Sequence, residues 1–125
     1  MSKNRPVNLD LRTIKQPLPA ISSILHRATG VILFVGLAFM LYAFDLSLES
    51  QQGFDAVADM FNNSFFAKFV AWGLVSSLLY HLFAGVKHLV MDFGYCEELE
   101  SGTLAAKITL ASGVVATLLA GVWIW

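Results

Sequence analysis

The stretch that decides the fold is Phe69 to Val86, FVAWGLVSSLLYHLFAGV, eighteen consecutive residues without a charged side chain. Two similar runs are Ala28 to Phe44, of 17 residues, and Ile108 to Trp125, of 18 residues. At about 1.5 Å per residue each run gives a helix of about 26 Å, slightly shorter than a hydrocarbon core of about 30 Å. Each transmembrane helix is therefore expected to extend past its charge-free part. The predicted spans are about residues 21–45, 65–89 and 103–125.

The composition agrees with a membrane protein. Hydrophobic residues make up 57% of the 125 residues and charged residues only 14%, whereas soluble domains have about 45–50% and about 25%. A net charge of −1 gives no reason to expect a nucleic-acid partner. The single cysteine, Cys96, excludes an internal disulfide and any multi-cysteine zinc or iron–sulfur site built from this chain alone. The predicted fold class is an all-α membrane protein with three transmembrane helices.

Residues 1–20 are predicted to form an N-terminal arm along the membrane surface, followed by a transmembrane domain over residues 21–125. Pro17 and Pro19 restrict the residues before them to extended geometry, so a helix is not expected before Pro19 and the first one should begin near Ile21. Of the eight Lys and Arg, seven lie on the side of the N-terminus and one, Lys68, on the other. The positive-inside rule then places the N-terminus in the cytoplasm and the C-terminus outside. An amphipathic stretch around Asp55 predicts a short interfacial helix between the first two spans.

Few polar side chains fall within or beside the charge-free runs, and each is a candidate functional residue because such groups are costly in a bilayer. His81 is the deepest, twelve residues beyond the start of its run. It is either a structural histidine bonded to a neighbouring helix or a metal or haem ligand. The absence of Asp and Glu from the charge-free runs argues against an independent transporter. The polar set is Ser22, Ser23, His26, Arg27, Tyr80, His81, Lys87 and His88.

His81 and His88 cannot both be axial ligands of one haem. Seven residues on a helix separate them by about 10.5 Å, whereas two axial nitrogens lie only about 4 Å apart. The other two spans offer no deep His, Met or Cys except Met40. Met40 lies toward the outer half, so if His81 binds a haem the missing ligand points to a partner chain. The chain is then predicted to be an incomplete half of a shared helix bundle.

Antiparallel packing should gather His26, Arg27, Lys87 and His88 at one depth, where the propionates of a haem held by His81 would emerge. For Lys87 we expect ordinary snorkelling of the ammonium to the interface. Ser23 and Arg27 are an i, i+4 pair that offers hydrogen-bond donors of the kind a quinone carbonyl needs, although a serine in a membrane helix also serves packing. The neighbouring Ser22 leaves open which hydroxyl faces a quinone.

Two segments resemble motifs of the succinate dehydrogenase cytochrome b subunit family. Ser23 to Gly30, SILHRATG, resembles S-I-x-H-R-x-[ST]-G, and His81 to Asp92, HLFAGVKHLVMD, resembles H-x-x-x-G-x-[RK]-H-x-x-x-D. Arg5 to Leu11 is similar to the N-terminal arm of the enterobacterial branch. Lys87 stands where many members have Arg, which puts a bidentate contact at that position in doubt.

The resemblance implies the large membrane-anchor subunit of succinate:ubiquinone oxidoreductase, respiratory complex II, in the bacterial inner membrane. It implies no catalytic residue in this chain and no activity of the chain alone. The implied partners are a second small membrane-anchor subunit, which would make this chain half of a heterodimeric helix bundle, an iron–sulfur subunit, a flavoprotein subunit and membrane lipid. The alternative is a cofactor-free structural anchor of a fumarate-reductase-like complex, with His81 as a packing residue.

The same resemblance assigns roles to five residues. His81 would be one axial ligand of haem b, and a histidine of the second anchor subunit would be the other. Ser23 and Arg27 would line the ubiquinone site. His26, Arg27 and His88 would contact the haem propionates.

Overall fold

The computed structural model describes residues 17–125, and every regular element within them is an α-helix. The helices are α1 (Leu18–Glu49), α2 (Gln51–Asn63), α3 (Phe65–Asp92) and α4 (Leu99–Ile124). Three of them, α1, α3 and α4, are long and apolar enough to cross a membrane. The predicted fold class, an all-α chain with three such helices, is therefore confirmed.

The first helix begins earlier than expected, at Leu18 instead of near Ile21, so the expectation of no helix before Pro19 is wrong. Pro17 is the extended residue that precedes the helix, and Pro19 lies in its first turn. The N–H groups of a first turn have no carbonyl partner within the helix, so a proline there removes no hydrogen bond. Residues 1–16, which hold most of the predicted arm and the Arg5 to Leu11 segment, lie outside the described residues.

Two serines separate the helices at one end of the molecule. The Oγ of Ser50 accepts a hydrogen bond of 3.0 Å from the backbone N–H of Gly53 and caps α2. Ser64 ends α2, and its Oγ accepts a bond of 3.3 Å from the N–H of Ala67 at the start of α3. These caps satisfy N–H groups that lack partners within the helix. The short helix expected around Asp55 is present as α2.

The central helix is α3, which packs against both α1 and α4. Near one end the Lys87 side chain bonds to Ser22, which joins the end of α3 to the start of α1. At the other end Phe65 packs on Trp125, which joins the start of α3 to the end of α4. Helix α3 therefore runs antiparallel to both α1 and α4, and the start of α1, the end of α3 and the start of α4 share one end.

Small side chains dominate the contacts between these helices, and large apolar side chains face outward. The buried apolar residues are four alanines and one tyrosine, whereas Phe34, Leu118 and Val122 are more than half exposed. Lipid is as apolar as these side chains, so membrane helices gain little from hiding them and associate through small residues instead. The buried set is Ala67, Tyr80, Ala84, Ala106 and Ala120.

Candidate functional site

The first turns of α1 and the second half of α3 enclose an open groove of about 550 Å³. Every residue that the sequence assigned to a site lines it: Ser23, His26, Arg27, His81 and His88. The helix contacts explain this, since the start of α1 lies against the end of α3. The remaining lining residues are apolar or glycine, namely Leu82, Gly85, Val86 and Leu89.

Three imidazole rings form a column along the groove. His26 stacks on His81 with ring centroids 4.1 Å apart and planes 16° apart. His26 also approaches His88, with centroids 5.0 Å apart and planes tilted by 52°. His26 from α1 thus fills the gap between the two histidines of α3. Within residues 17–125 no group of three or more His, Cys, Asp or Glu side chains is placed to hold a metal ion.

Hydrogen bonds fix which nitrogen of His81 is available to a ligand. Its Nδ1 lies 3.0 Å from the backbone oxygen of His26 and 3.2 Å from Oγ1 of Thr29. A carbonyl oxygen can only accept, and the Thr29 hydroxyl already donates to the same oxygen at 2.9 Å. Nδ1 therefore carries a hydrogen, and in the neutral imidazole Nε2 then keeps its lone pair. Histidines that bind metals are held in this way, with the second nitrogen donating to a backbone carbonyl or another acceptor.

Thr29 and Gly30 also support His81, although the sequence analysis assigned neither of them to the site. Thr29 contacts its Nδ1, and Gly30 lies so close that an added Cβ would be 3.1 Å from its Cε1. Both were visible as the last two positions of the SILHRATG motif. They follow His26 by three and four residues, the spacing that places side chains on one helix face.

The structure separates the two neighbouring serines. Ser22 is fully buried, and its Oγ lies 3.0 Å from Nζ of Lys87 and 3.2 Å from the hydroxyl of Tyr80. Ser23 lines the groove. Consecutive residues on a helix differ by about 100° around its axis, so one hydroxyl faces the bundle when the other faces the groove. The hydroxyl available to a ligand in the groove is that of Ser23.

The expectation for Lys87 is wrong. Its side chain is only 8% exposed and donates to Ser22 Oγ between α1 and α3. It does not line the groove, so the nitrogen donors there are those of His26, Arg27, His81 and His88. The physical reason is rotation, because Lys87 lies one position, or about 100°, before His88 on α3.

The groove offers a coherent set of polar groups. His81 presents one unprotonated imidazole nitrogen, as a haem iron requires of an axial ligand. Arg27 and the two other imidazoles can donate to carboxylates such as propionates. Among residues 17–125 no carboxylate side chain lines the groove, so none of these competes for the donors. The residues present therefore fit one side of a haem.

Comparisons with known proteins identify a family that this sequence matches. The profile of the family described as succinate dehydrogenase/fumarate reductase transmembrane subunit matches residues 1–120. The succinate dehydrogenase cytochrome b556 subunit of Coxiella burnetii is 38% identical over 125 residues, which cover 100% of both chains. That of Paracoccus denitrificans is 34% identical over 93% of this chain and 88% of its own. The cytochrome b560 subunit of Reclinomonas americana is 35% identical over 99% and 88%, respectively.

Proposed function

The chain belongs to the succinate dehydrogenase/fumarate reductase transmembrane subunit family, as its two motifs predict, and we propose that it binds one side of a haem b and lines a ubiquinone-reduction site. The observation that carries the haem proposal is the hydrogen bonding of His81, whose Nδ1 donates to the His26 carbonyl and leaves Nε2 free. The cytochrome b names of the relatives favour it over a cofactor-free anchor.

His81 would hold the haem iron through Nε2, and the groove donors would bind the propionates. When bound, haem b supplies a one-electron redox centre. The His26 carbonyl orients the His81 ring and raises its basicity as a ligand. His26, Arg27 and His88 would bind the two carboxylates, for which the planar guanidinium is suited through paired N–H groups.

Ser23 and Arg27 would bind a carbonyl oxygen of ubiquinone. They are four residues apart on α1 and both line the groove, so a hydroxyl and a guanidinium converge on one space. Donors held in place stabilise the negative charge that develops on a carbonyl oxygen as it is reduced. This chain would contribute binding and orientation, and the electrons would come from succinate through the other subunits.

The assembly follows from the same proposal. A second small membrane-anchor subunit would supply the other axial histidine, and the exposed apolar side chains beside the groove would contact it or membrane lipid. The iron–sulfur and flavoprotein subunits would dock on the cytoplasmic side of the bacterial inner membrane. The end shared by the start of α1 and the end of α3 would be cytoplasmic, and the C-terminus periplasmic, since seven of eight Lys and Arg lie toward the first end.

The haem proposal is tested by a reduced-minus-oxidised absorption spectrum of the purified complex. We expect b-type bands in the parent complex and altered or absent bands after His81→Tyr. A parent complex without b-type bands would refute haem binding and favour the cofactor-free anchor. Bands unchanged by His81→Tyr would remove His81 from the ligand set.

The quinone proposal is tested by Ser23→Ala and Arg27→Leu in the same complex. Each removes a hydrogen-bond donor, so quinone reduction should slow while succinate oxidation by a water-soluble artificial acceptor stays near the parent rate. Ser47→Ala is the matched control, because this hydroxyl bonds to the Phe44 carbonyl near the other end of α1. Quinone kinetics equal to the control in both variants would exclude the two residues from the site.

A further inference from the structure

Three buried residues form hydrogen bonds across the interface of α1 and α3. Each of them comes directly before a groove residue in the sequence. The buried residues are Ser22, Tyr80 and Lys87, which we call the inner cluster. The groove residues that follow them are Ser23, His81 and His88. On α3 the two inner residues are seven apart, as are the two groove histidines, so each pair shares one helix face.

Ser22 is the centre of the inner cluster. The Tyr80 hydroxyl lies 2.8 Å from the backbone oxygen of Ser22, to which it donates, and 3.2 Å from its Oγ. The Lys87 ammonium donates to the same Oγ at 3.0 Å. Ser22 is 0% exposed, and Tyr80 and Lys87 are each 8% exposed. A single residue of α1 is thus bound by two residues of α3 that lie about two turns apart.

A buried contact between an ammonium and a hydroxyl is an energetically unfavourable way to hold two helices together. Burying a charge costs free energy, and an apolar side chain of similar volume often packs as well or better. Large apolar side chains, however, do little to fix the rotation of a helix in lipid, because lipid is as apolar as they are. Directed hydrogen bonds do fix it, since they break when a helix turns about its axis.

We propose that the inner cluster sets the rotation of α1 against α3 and thereby directs Ser23, His81 and His88 into the groove. The inference rests on the proposed haem and quinone function of the groove. A side chain lies about 5–6 Å from the helix axis, so a rotation of about 10° moves its tip by about 1 Å. A displacement of about 1 Å can reduce a reaction rate about 100-fold. Ser22, Tyr80 and Lys87 are therefore positioning residues that act through their neighbours.

Kinetics of the intact complex test this role. Ser22→Ala, Tyr80→Phe and Lys87→Met should each raise the quinone KM, by up to about tenfold for a displacement well under 1 Å, with succinate oxidation by an artificial acceptor unchanged. Because Ser22 and Lys87 share one hydrogen bond, the double variant should be no worse than the stronger single one. Tyr42→Phe and Lys107→Met make the same chemical changes at exposed sites and should leave the KM unchanged.

A second measurement reports rotation without relying on quinone chemistry. In a Cys96→Ser background, Ser23→Cys is labelled with a small membrane-permeant maleimide, with and without Tyr80→Phe. Tyr80→Phe removes one hydroxyl, so the complex should still assemble even where Lys87→Met does not. A labelling rate changed by about threefold or more supports the proposal, because a small rotation alters access to the groove. An unchanged labelling rate together with an unchanged quinone KM would overturn it.

The two proposals fail in different ways. If Ser23→Ala leaves quinone reduction normal while Tyr80→Phe changes the labelling rate, the quinone role of Ser23 is wrong and the positioning role stands. If Ser23→Ala slows quinone reduction while all three inner variants match the controls in KM and labelling, the groove function stands and the positioning role is wrong.

Discussion

Gly30→Ala should disturb the candidate haem ligand through a single added methyl group. Its Cβ would lie 3.1 Å from Cε1 of His81, about 0.3 Å closer than the 3.4 Å at which ordinary contacts begin. The imidazole must move away, because the methyl group is fixed to the α1 backbone. Nδ1 of His81 now lies 3.0 Å from the His26 carbonyl, so a shift of this size lengthens the bond to about 3.3 Å, beyond the usual range for N–H···O.

The loss of this bond sets the size of the effect. A hydrogen bond of this kind contributes about 1 kcal/mol, and donation from Nδ1 makes the imidazole a stronger ligand that favours the oxidised iron. For a one-electron couple, a tenfold change in the equilibrium constant corresponds to about 59 mV. A free energy of 1 kcal/mol therefore corresponds to about 40 mV. The haem midpoint potential should therefore rise in Gly30→Ala, by up to about 40 mV.

Potentiometric titration of the α band in the purified complex measures this shift. Gly73→Ala is the matched control, since it makes the same change on α3 where no atom lies within 4 Å of the added Cβ. Gly73→Ala raises helix propensity as Gly30→Ala does, and it should leave the haem midpoint potential unchanged. A Gly30→Ala potential equal to that of the control, or lower than the parent value, would refute the reasoning about His81.

Three further predictions concern stability, measured as the midpoint temperature of dissociation of the complex. Gly113→Ala places a Cβ 2.6 Å from Cδ2 of Tyr80 and should cost about 1–3 kcal/mol through overpacking; an unchanged midpoint would contradict this contact. Trp72→Phe removes the bond of 2.8 Å from Nε1 to the Thr117 oxygen and should cost about 0.6 kcal/mol, the average for such bonds in a membrane; a higher midpoint would oppose it. Ser50→Ala removes the α2 cap and should cost about 1 kcal/mol, whereas Ser50→Gly should cost only a few tenths.

The sequence predicts the three long helices well because their signal is local. A run without charges, such as Phe69 to Val86, must satisfy its own backbone groups in lipid, and a helix does so within the segment. The helix ends are less predictable. Leu18 starts α1 ahead of Pro19 because a first-turn proline removes no hydrogen bond. Helix α4 starts at Leu99, outside the predicted span, and has the acidic residue Glu100 in its first turn.

The residues of the site were also predictable, because polar groups are rare and costly in such helices. This rarity and the two motifs indicate five candidate residues, and the fold brings all of them to one groove. They are Ser23, His26, Arg27, His81 and His88. Their joint presence there follows from antiparallel packing of α1 and α3, because consecutive spans cross a membrane in opposite directions.

What the sequence determined by itself is the number of long helices, their antiparallel order and the identity of the groove residues. What only the tertiary structure decided is the direction in which each side chain points. Ser22 faces the bundle and Ser23 the groove, and Lys87 is buried where snorkelling was expected. The physical reason is that helix rotation depends on contacts with other helices. Neighbouring residues differ by about 100°, and no property of one helix alone chooses between them.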